Sequence, residues 1–184
     1  MNLRRRKWLP EARLDLAGIR AGASGGQVHF VLQLKELPVS AQRAALAAAG
    51  VQLVGFVQGT AYIASMRVAD LDAVAGFDLV RAAFLLDPEL KIDERLRSGS
   101  VPAYAVWPGG RVVLNVRFHE DAFEQARALI ERLGGEVLGE ASIIQLVTAA
   151  FTPDAVDRIA AEDSVQHVSI VDPPLETKSK VVPG

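Results

Sequence analysis

Alternating hydrophobic and polar positions open each half of the chain and predict a strand in each. Residues 29–35 and 111–118 are rich in β-branched and aromatic side chains and alternate with a period of two. Residues 41–49 and 122–133 have the composition and apolar spacing of helices, and each of these stretches is followed by a glycine. Both halves continue in the same way, so each is predicted to run strand, helix, strand, strand, helix, strand.

Several short segments of the first half return in the second half at a nearly constant distance. Val-Leu-Gln-Leu-Lys at 31–35 corresponds to Val-Leu-Asn-Val-Arg at 113–117, and Leu-Asp-Pro at 86–88 corresponds to Val-Asp-Pro at 171–173. The offset of about 82 to 85 residues is that of a duplicated small domain. The predicted fold class is therefore α+β, with two tandem ferredoxin-like (βαββαβ) domains, each an antiparallel sheet with two helices on one face.

The domain boundaries follow from where these patterns stop. We expect a flexible N-terminal segment over 1–27, a first domain over 28–90, and a second domain over 111–175. Residues 91–110 have the Pro, Gly and charged composition of a linker. Residues 176–184 are predicted to be an extended C-terminal tail.

Composition excludes several classes of function. The net charge of −2 over 184 residues argues against nucleic acid as the main ligand, since phosphate binding needs a basic face. The chain has no cysteine, which excludes disulfides and thiol chemistry. No run of eighteen apolar residues is present, so we expect no membrane partner. The basic residues at 4–7 lack the apolar segment that completes a signal peptide.

Candidate catalytic and metal-binding residues are sparse. His29, His119 and His167 are far apart in sequence, and none has metal-ligand spacing, so we expect no metal and no cofactor. His119, Glu120 and Asp121 precede a predicted helix and are interpreted as its N-terminal cap. No nucleophile or phosphate-binding motif is present, and we therefore expect that the chain is not an enzyme.

The second half resembles the propeptides of subtilisin-like serine proteases. The resemblance lies in the hairpin over 136–151, in Thr-Pro-Asp-Ala-Val at 152–156 and in the strand entry at 162–168. The first half is similar more loosely, through 48–51, 71–74 and 77–81. Tandem modules of this kind resemble the long N-terminal regions of some bacterial subtilisin-like precursors.

This resemblance implies an intramolecular chaperone and inhibitor that binds a subtilisin-like serine protease, in cis or in trans, outside the cytoplasm. In the family the open sheet face packs on two enzyme helices and the tail lies in the substrate cleft. The acids that end the last strand in the family are replaced here by Ser169, Ile170 and Val171. Glu140 and Asp172 are the nearest substitutes. The tail residues expected nearest the cleft are Val181, Val182, Pro183 and Gly184.

Two other functions fit the same predicted fold. A paired regulatory module for a small, amino-acid-type molecule would bind its ligand after the first strand or between the modules, although the loop 36–38 lacks the glycines typical of such sites. A structural assembly domain would bind no ligand. Within the protease interpretation, we expect the second module to be the principal docking unit, because it resembles the propeptides more closely.

Overall fold

The computed structural model describes residues 12–23 and 25–173 and, within them, folds into two antiparallel sheets flanked by helices. The α+β class predicted from the sequence is confirmed. The elements of the first half are α1 (Leu16–Ala21), β1 (Gln27–Leu34), α2 (Ser40–Ala48), β2 (Gln52–Gln58), β3 (Ala61–Arg67), a 3₁₀ helix (Val68–Gly76) and β4 (Val80–Phe84). Their strands form a sheet in the order β2-β3-β1-β4.

The second half repeats this plan with additions at its start. Its elements are α3 (Pro88–Lys91), α4 (Glu94–Arg97), a 3₁₀ turn (Ala103–Ala105), β5 (Val106–Trp107), β6 (Arg111–Phe118), a 3₁₀ helix (Glu120–Gln125), α5 (Ala126–Arg132), β7 (Glu136–Ala141), a 3₁₀ turn (Ser142–Ile144), β8 (Leu146–Phe151), α6 (Ala155–Ala161) and β9 (Val165–Ile170). The strand order is β5-β6-β8-β7, and β9 also pairs with β6.

Each sheet has its own hydrophobic core on the face that carries the helices. Successive residues of a strand point to opposite faces. In β1, Phe30 and Leu32 therefore lie on one side and pack with Leu46 of α2 in the first core. In β6, Leu114 and Val116 pack in the second core, which also contains residues of α5 and α6. The alternation seen in the sequence thus separates a helix-bearing face from an outer face in both sheets.

The segment 12–23 contains a packed helix that the sequence did not reveal. Asp15 caps α1 by accepting a hydrogen bond from the Gly18 N–H at 3.0 Å. Ile19 is completely buried in the first core, and Leu14 bridges Ala83 of β4 in parallel orientation. The prediction of a flexible segment is therefore wrong for α1. A helix of six residues is too short to show a hydrophobic period in the sequence.

The expected linker is built into the second half. Ile92 pairs in parallel with Val168 of β9, and the Asp93 N–H donates to the Val168 carbonyl at 2.9 Å. Leu96 and Val101 pack against the second core. Proline and glycine mark turns of this segment, but composition alone did not show that it contributes α4, a 3₁₀ turn and β5. Helix α3 (Pro88–Lys91) begins before it, within the range expected for the first domain. Among the described residues, no helix has the length and apolarity needed to cross a lipid bilayer.

Candidate functional site

A buried polar cluster joins the two halves at the outer face of the first sheet. Its centre is His29 of β1, whose Nδ1 lies 2.7 Å from Asp163 Oδ2 and whose Nε2 lies 2.8 Å from Asp121 Oδ1. The hydroxyl of Ser65 in β3 donates to Asp121 Oδ2 at 2.7 Å. One imidazole of the first half therefore lies between two carboxylates of the second. We call these four residues the His29 cluster.

Local structure explains why these side chains meet. Strand β4 pairs with β1 only from Val31 to Leu34, and Asp163 lies where β4 would have to continue. Its Oδ1 accepts a hydrogen bond from the backbone N–H of His29 at 2.9 Å, so the carboxylate takes the place of a strand partner. The segments that carry Asp121 and Asp163 are held together because the His119 N–H donates to the Ser164 carbonyl at 3.0 Å.

The imidazole of His29 is stacked on that of His119, which lies beside the cluster, and the two rings have opposite electrostatic environments. The rings of His29 and His119 have centroids 4.2 Å apart and planes 11° from parallel. Burial opposes the charged form of His29, but hydrogen bonds to Asp121 and Asp163 outweigh it and raise the pKa of His29 to about 9. Burial, together with the charges of His29 and Lys91, lowers the pKa of His119 to about 3. At neutral pH a protonated imidazole thus stacks on a neutral one.

Asp121 and Lys91 are further charged groups of this site. The hydrogen bond from His29 holds the pKa of Asp121 well below its usual range, although burial acts in the opposite direction. Lys91 is buried and donates from Nζ to the Glu162 carbonyl at 2.9 Å. Burial lowers the pKa of Lys91, while Asp163 and Glu162 partly compensate. Two carboxylates consequently face one imidazolium and one nearby ammonium.

The cluster contains the side-chain types of a serine hydrolase triad in a different order. In a triad the imidazole accepts the serine proton, and a carboxylate orients the imidazole from its other side. Here the Ser65 hydroxyl donates to Asp121 and not to His29, and Ser65 is completely buried. This geometry links β-strands and turns, and it does not present a nucleophile to solvent. The described residues contain no group of three or more His, Cys, Asp or Glu placed to hold a metal ion.

A small cavity adjoins the cluster at the junction of the halves. Its volume is about 240 Å³. The polar part of its lining includes Lys91, His119 and Asp163, and the apolar part includes Ile63 and Leu85. Lys91 has donor capacity beyond its hydrogen bond to Glu162, so the cavity combines a cationic group with an apolar wall.

A larger depression of about 680 Å³ lies elsewhere, beside the end of α2 and the 3₁₀ helix over Val68–Gly76. It is open and shallow, and its charged groups include Arg67 and Asp70, which pair with each other at 2.6 Å. Size alone does not make it the better candidate, because its polar groups do not converge as those of the junction do.

The outer faces of the two sheets differ in exposure. On the first sheet, six outer residues of β1, β3 and β4 are buried, and we call them the His29 face: His29, Val31, Gln33, Ile63, Ser65 and Ala82. On the same side of the sheet, Phe84 is half-buried and Gln52 of the edge strand β2 is exposed. On the second sheet, the corresponding residues are half-buried or exposed, and we call them the Arg117 face: Asn115, Arg117, Leu146, Thr148, His167 and Ser169. Val113 and Ala150, farther along the second sheet, are buried.

The residues predicted to bind a protease occupy separate places. Glu140 lies in β7 and pairs with Val147, a core residue, so it points to the helix-bearing side of the second sheet. Its carboxylate pairs with Arg127 of α5 at 2.5 Å. Asp172 follows β9 and is exposed. Val181, Val182, Pro183 and Gly184 lie outside the described residues.

Residues 119–121 begin a helix as predicted, with Glu120 and Asp121 in the first turn of the 3₁₀ helix over Glu120–Gln125. The capping hydrogen bond is wrong, because His119 occupies the N-cap position but makes no side-chain capping hydrogen bond. Asp121 is engaged with His29 and Ser65 instead. The adjacent acids Glu162 and Asp163 predict a solvent-facing turn, yet Asp163 is buried. The signal available in the sequence was an acidic residue just after the predicted strand 111–118 and another at the strand entry 162–168.

Comparison with known proteins gives one partial match. A family model described as a domain of unknown function (DUF8729) matches residues 2–87, which include α1 and the first sheet. No curated protein and no solved structure matches the chain.

Proposed function

We propose that the chain is a propeptide-like module that binds and inhibits a subtilisin-like serine protease and assists its folding. The observation that carries this proposal is the Arg117 face, an outer sheet surface whose residues are half-buried or, at Arg117, exposed among the described residues, next to the exposed Asp172. A partly exposed sheet face with hydrogen-bonding side chains is suited to protein docking. The sequence resemblance in the second half supports the same partner.

The proposal includes the finer fold, in which each half is a ferredoxin-like unit. The order β2-β3-β1-β4 and the order β7-β8-β6-β9 place equivalent strands in equivalent positions. Helices pack on one face of each sheet. The family match ends at residue 87, just before α3, which supports a boundary there between two units.

The chemistry of the Arg117 face favours a partner surface that is acidic or rich in carbonyl groups. Arg117 is exposed, and the Thr148 hydroxyl donates to Asn115 Oδ1 at 2.8 Å. An arginine contributes favourably at the C-terminal end of a partner helix, where unpaired carbonyls carry partial negative charge. This face therefore differs from the acidic one that the protease family presents, and it would approach enzyme helices with the opposite polarity.

The test is inhibition of a panel of subtilisin-like proteases by the full chain and by Arg117→Ala. We expect the substitution to weaken inhibition of the cognate enzyme by about tenfold, which corresponds to about 1.4 kcal/mol. The matched control is Arg158→Ala, because Arg158 is also exposed but lies on α6, in the helix layer of the same half. Equal inhibition by both variants would contradict docking through the Arg117 face.

The junction cavity favours a second candidate, a paired regulatory module for a small carboxylate such as an amino acid. Lys91 would bind the carboxylate, and the apolar wall that includes Ile63 and Leu85 would contact the aliphatic part of the ligand. The test is a thermal-shift titration with individual amino acids, using Lys91→Met as the control. A saturable rise in melting temperature that is lost in Lys91→Met would favour this function over protease binding.

A further inference from the structure

We propose that the partner for the His29 face is the second half of the same chain, and that the His29 cluster is the element that selects it. The face is then an internal docking surface, and the Arg117 face is the surface proposed for other proteins. This inference is independent of the proposed protease partner, since it concerns contacts within the chain.

Burial is the first argument. Val31, Gln33 and Ile63 project from the face that carries no helix of the first half, yet each is less than 9% exposed. Asp121 and Asp163 of the second half reach this face at His29 and Ser65, and Gly22, Leu85 and Leu86 of the first half line the cavity beside Ile63. Without that cover, apolar side chains on a four-stranded sheet would be open to solvent.

Charge makes the contact selective. Apolar groups could not replace Asp121 and Asp163, because the buried imidazolium of His29 would then have no opposite charge beside it. Asp163 additionally accepts from the His29 backbone, so it fixes the position of the second half along β1. A surface lacking two acids at this spacing would leave both the His29 ring and its N–H unpaired.

The groups that surround the His29 ring place carboxylates at its edges and a second imidazole on its plane. From the second half, Asp121 and Asp163 face the ring edges and His119 stacks on its plane. Lys91, at the end of α3, lies close enough to affect His119. Because His119 is held neutral beside His29, the stack avoids repulsion between two cations. The junction thus combines opposite charges from the two halves of the chain.

The experiment measures access to the His29 face in the full chain. The chain has no cysteine, so Val31→Cys introduces a single thiol on this face at a position that is 4% exposed. Labelling by a thiol reagent should be slow in Val31→Cys and at least about tenfold faster when Asp163→Ala is added, since opening exposes the face. Adding Asp154→Ala instead removes an exposed carboxylate at the start of α6 and should leave the rate unchanged.

A second readout is amide exchange at His29, measured by NMR. In Asp163→Ala the His29 N–H should exchange faster, while the Leu32 N–H within the sheet stays protected. An unchanged labelling rate in Asp163→Ala would overturn the proposal. Loss of the circular-dichroism spectrum of the folded chain would overturn it as well, because the two cores are proposed to fold without the cluster. Failure to inhibit any protease would leave these results unaffected and would count only against the proposed function.

Discussion

At the level of single residues, the His29 cluster brings together side chains that are far apart in the sequence. His29 is separated in sequence from Asp121 by 92 residues and from Asp163 by 134 residues. Buried charged groups are stable only when paired, so each partner in the cluster constrains the others. Removing one member leaves a buried charge without compensation. The stability of the protein should therefore respond to the titration of these groups.

We predict that the free energy of unfolding falls as pH rises from 6.5 to above 9. His29 has its pKa raised from 6.5 to about 9, so the folded state binds more protons than the unfolded state across that interval. The stabilisation is fully present below pH 6.5 and is lost as pH rises through the folded pKa. Urea unfolding at several pH values measures it. In His29→Gln the free energy of unfolding should fall much less over this pH interval. If the free energy of unfolding of the wild type were constant across the interval, the raised pKa of His29 would be contradicted.

The free energy of unfolding is also expected to fall at acidic pH. His119 has its pKa lowered to about 3, so below pH 6.5 the unfolded state takes up a proton that the folded state excludes. Stability should fall as pH decreases from 6.5 towards 3. His119→Phe keeps an aromatic ring stacked on His29 and should reduce this loss, as measured by the same urea titration. A variant that loses stability as steeply as the wild type would show that other groups control the acidic limb.

At the scale of elements, α1 is part of the first core although it precedes the repeated unit. We predict that Ile19→Ala lowers the free energy of unfolding by about 2–5 kcal/mol, the range for deleting buried aliphatic atoms. Leu37→Ala is the matched control, because Leu37 is 61% exposed. It should change stability by less than about 0.5 kcal/mol. Equal effects of both substitutions in denaturant unfolding would show that α1 is not packed.

The α5–β7 connection is a second element whose packing is testable. A Cβ on Gly135 would lie 2.5 Å from Phe151 Cε1 and 2.7 Å from Ile130 Cγ2, whereas one on Gly139 would meet nothing within 4 Å. We predict that Gly135→Ala destabilises the chain by about 1–3 kcal/mol through overpacking. Gly139→Ala in β7 should have a much smaller effect. A neutral Gly135→Ala in thermal unfolding would indicate that Phe151 moves away at little cost.

The whole molecule could be predicted in part from its sequence. The period-two pattern of 29–35 and 111–118 predicts β1 and β6, and the repeat predicts the same element order in both halves. The α+β class follows from these patterns. The helix α1 and the elements of 91–110 could not be predicted, because they are too short for a period to be visible. The His29 cluster could not be predicted either, since its members meet only when the halves pack together.

We propose that the His29 face is turned inward and that the Arg117 face binds a protease. Hydrogen–deuterium exchange of the full chain tests both parts of this proposal, measured with and without a subtilisin-like protease whose catalytic serine has been replaced. We predict added protection in β6, β8 and β9, which carry the Arg117 face, and no added protection in β1 and β3. Protection of β1 and β3 by the enzyme, or no change with any enzyme of the panel, would contradict the account.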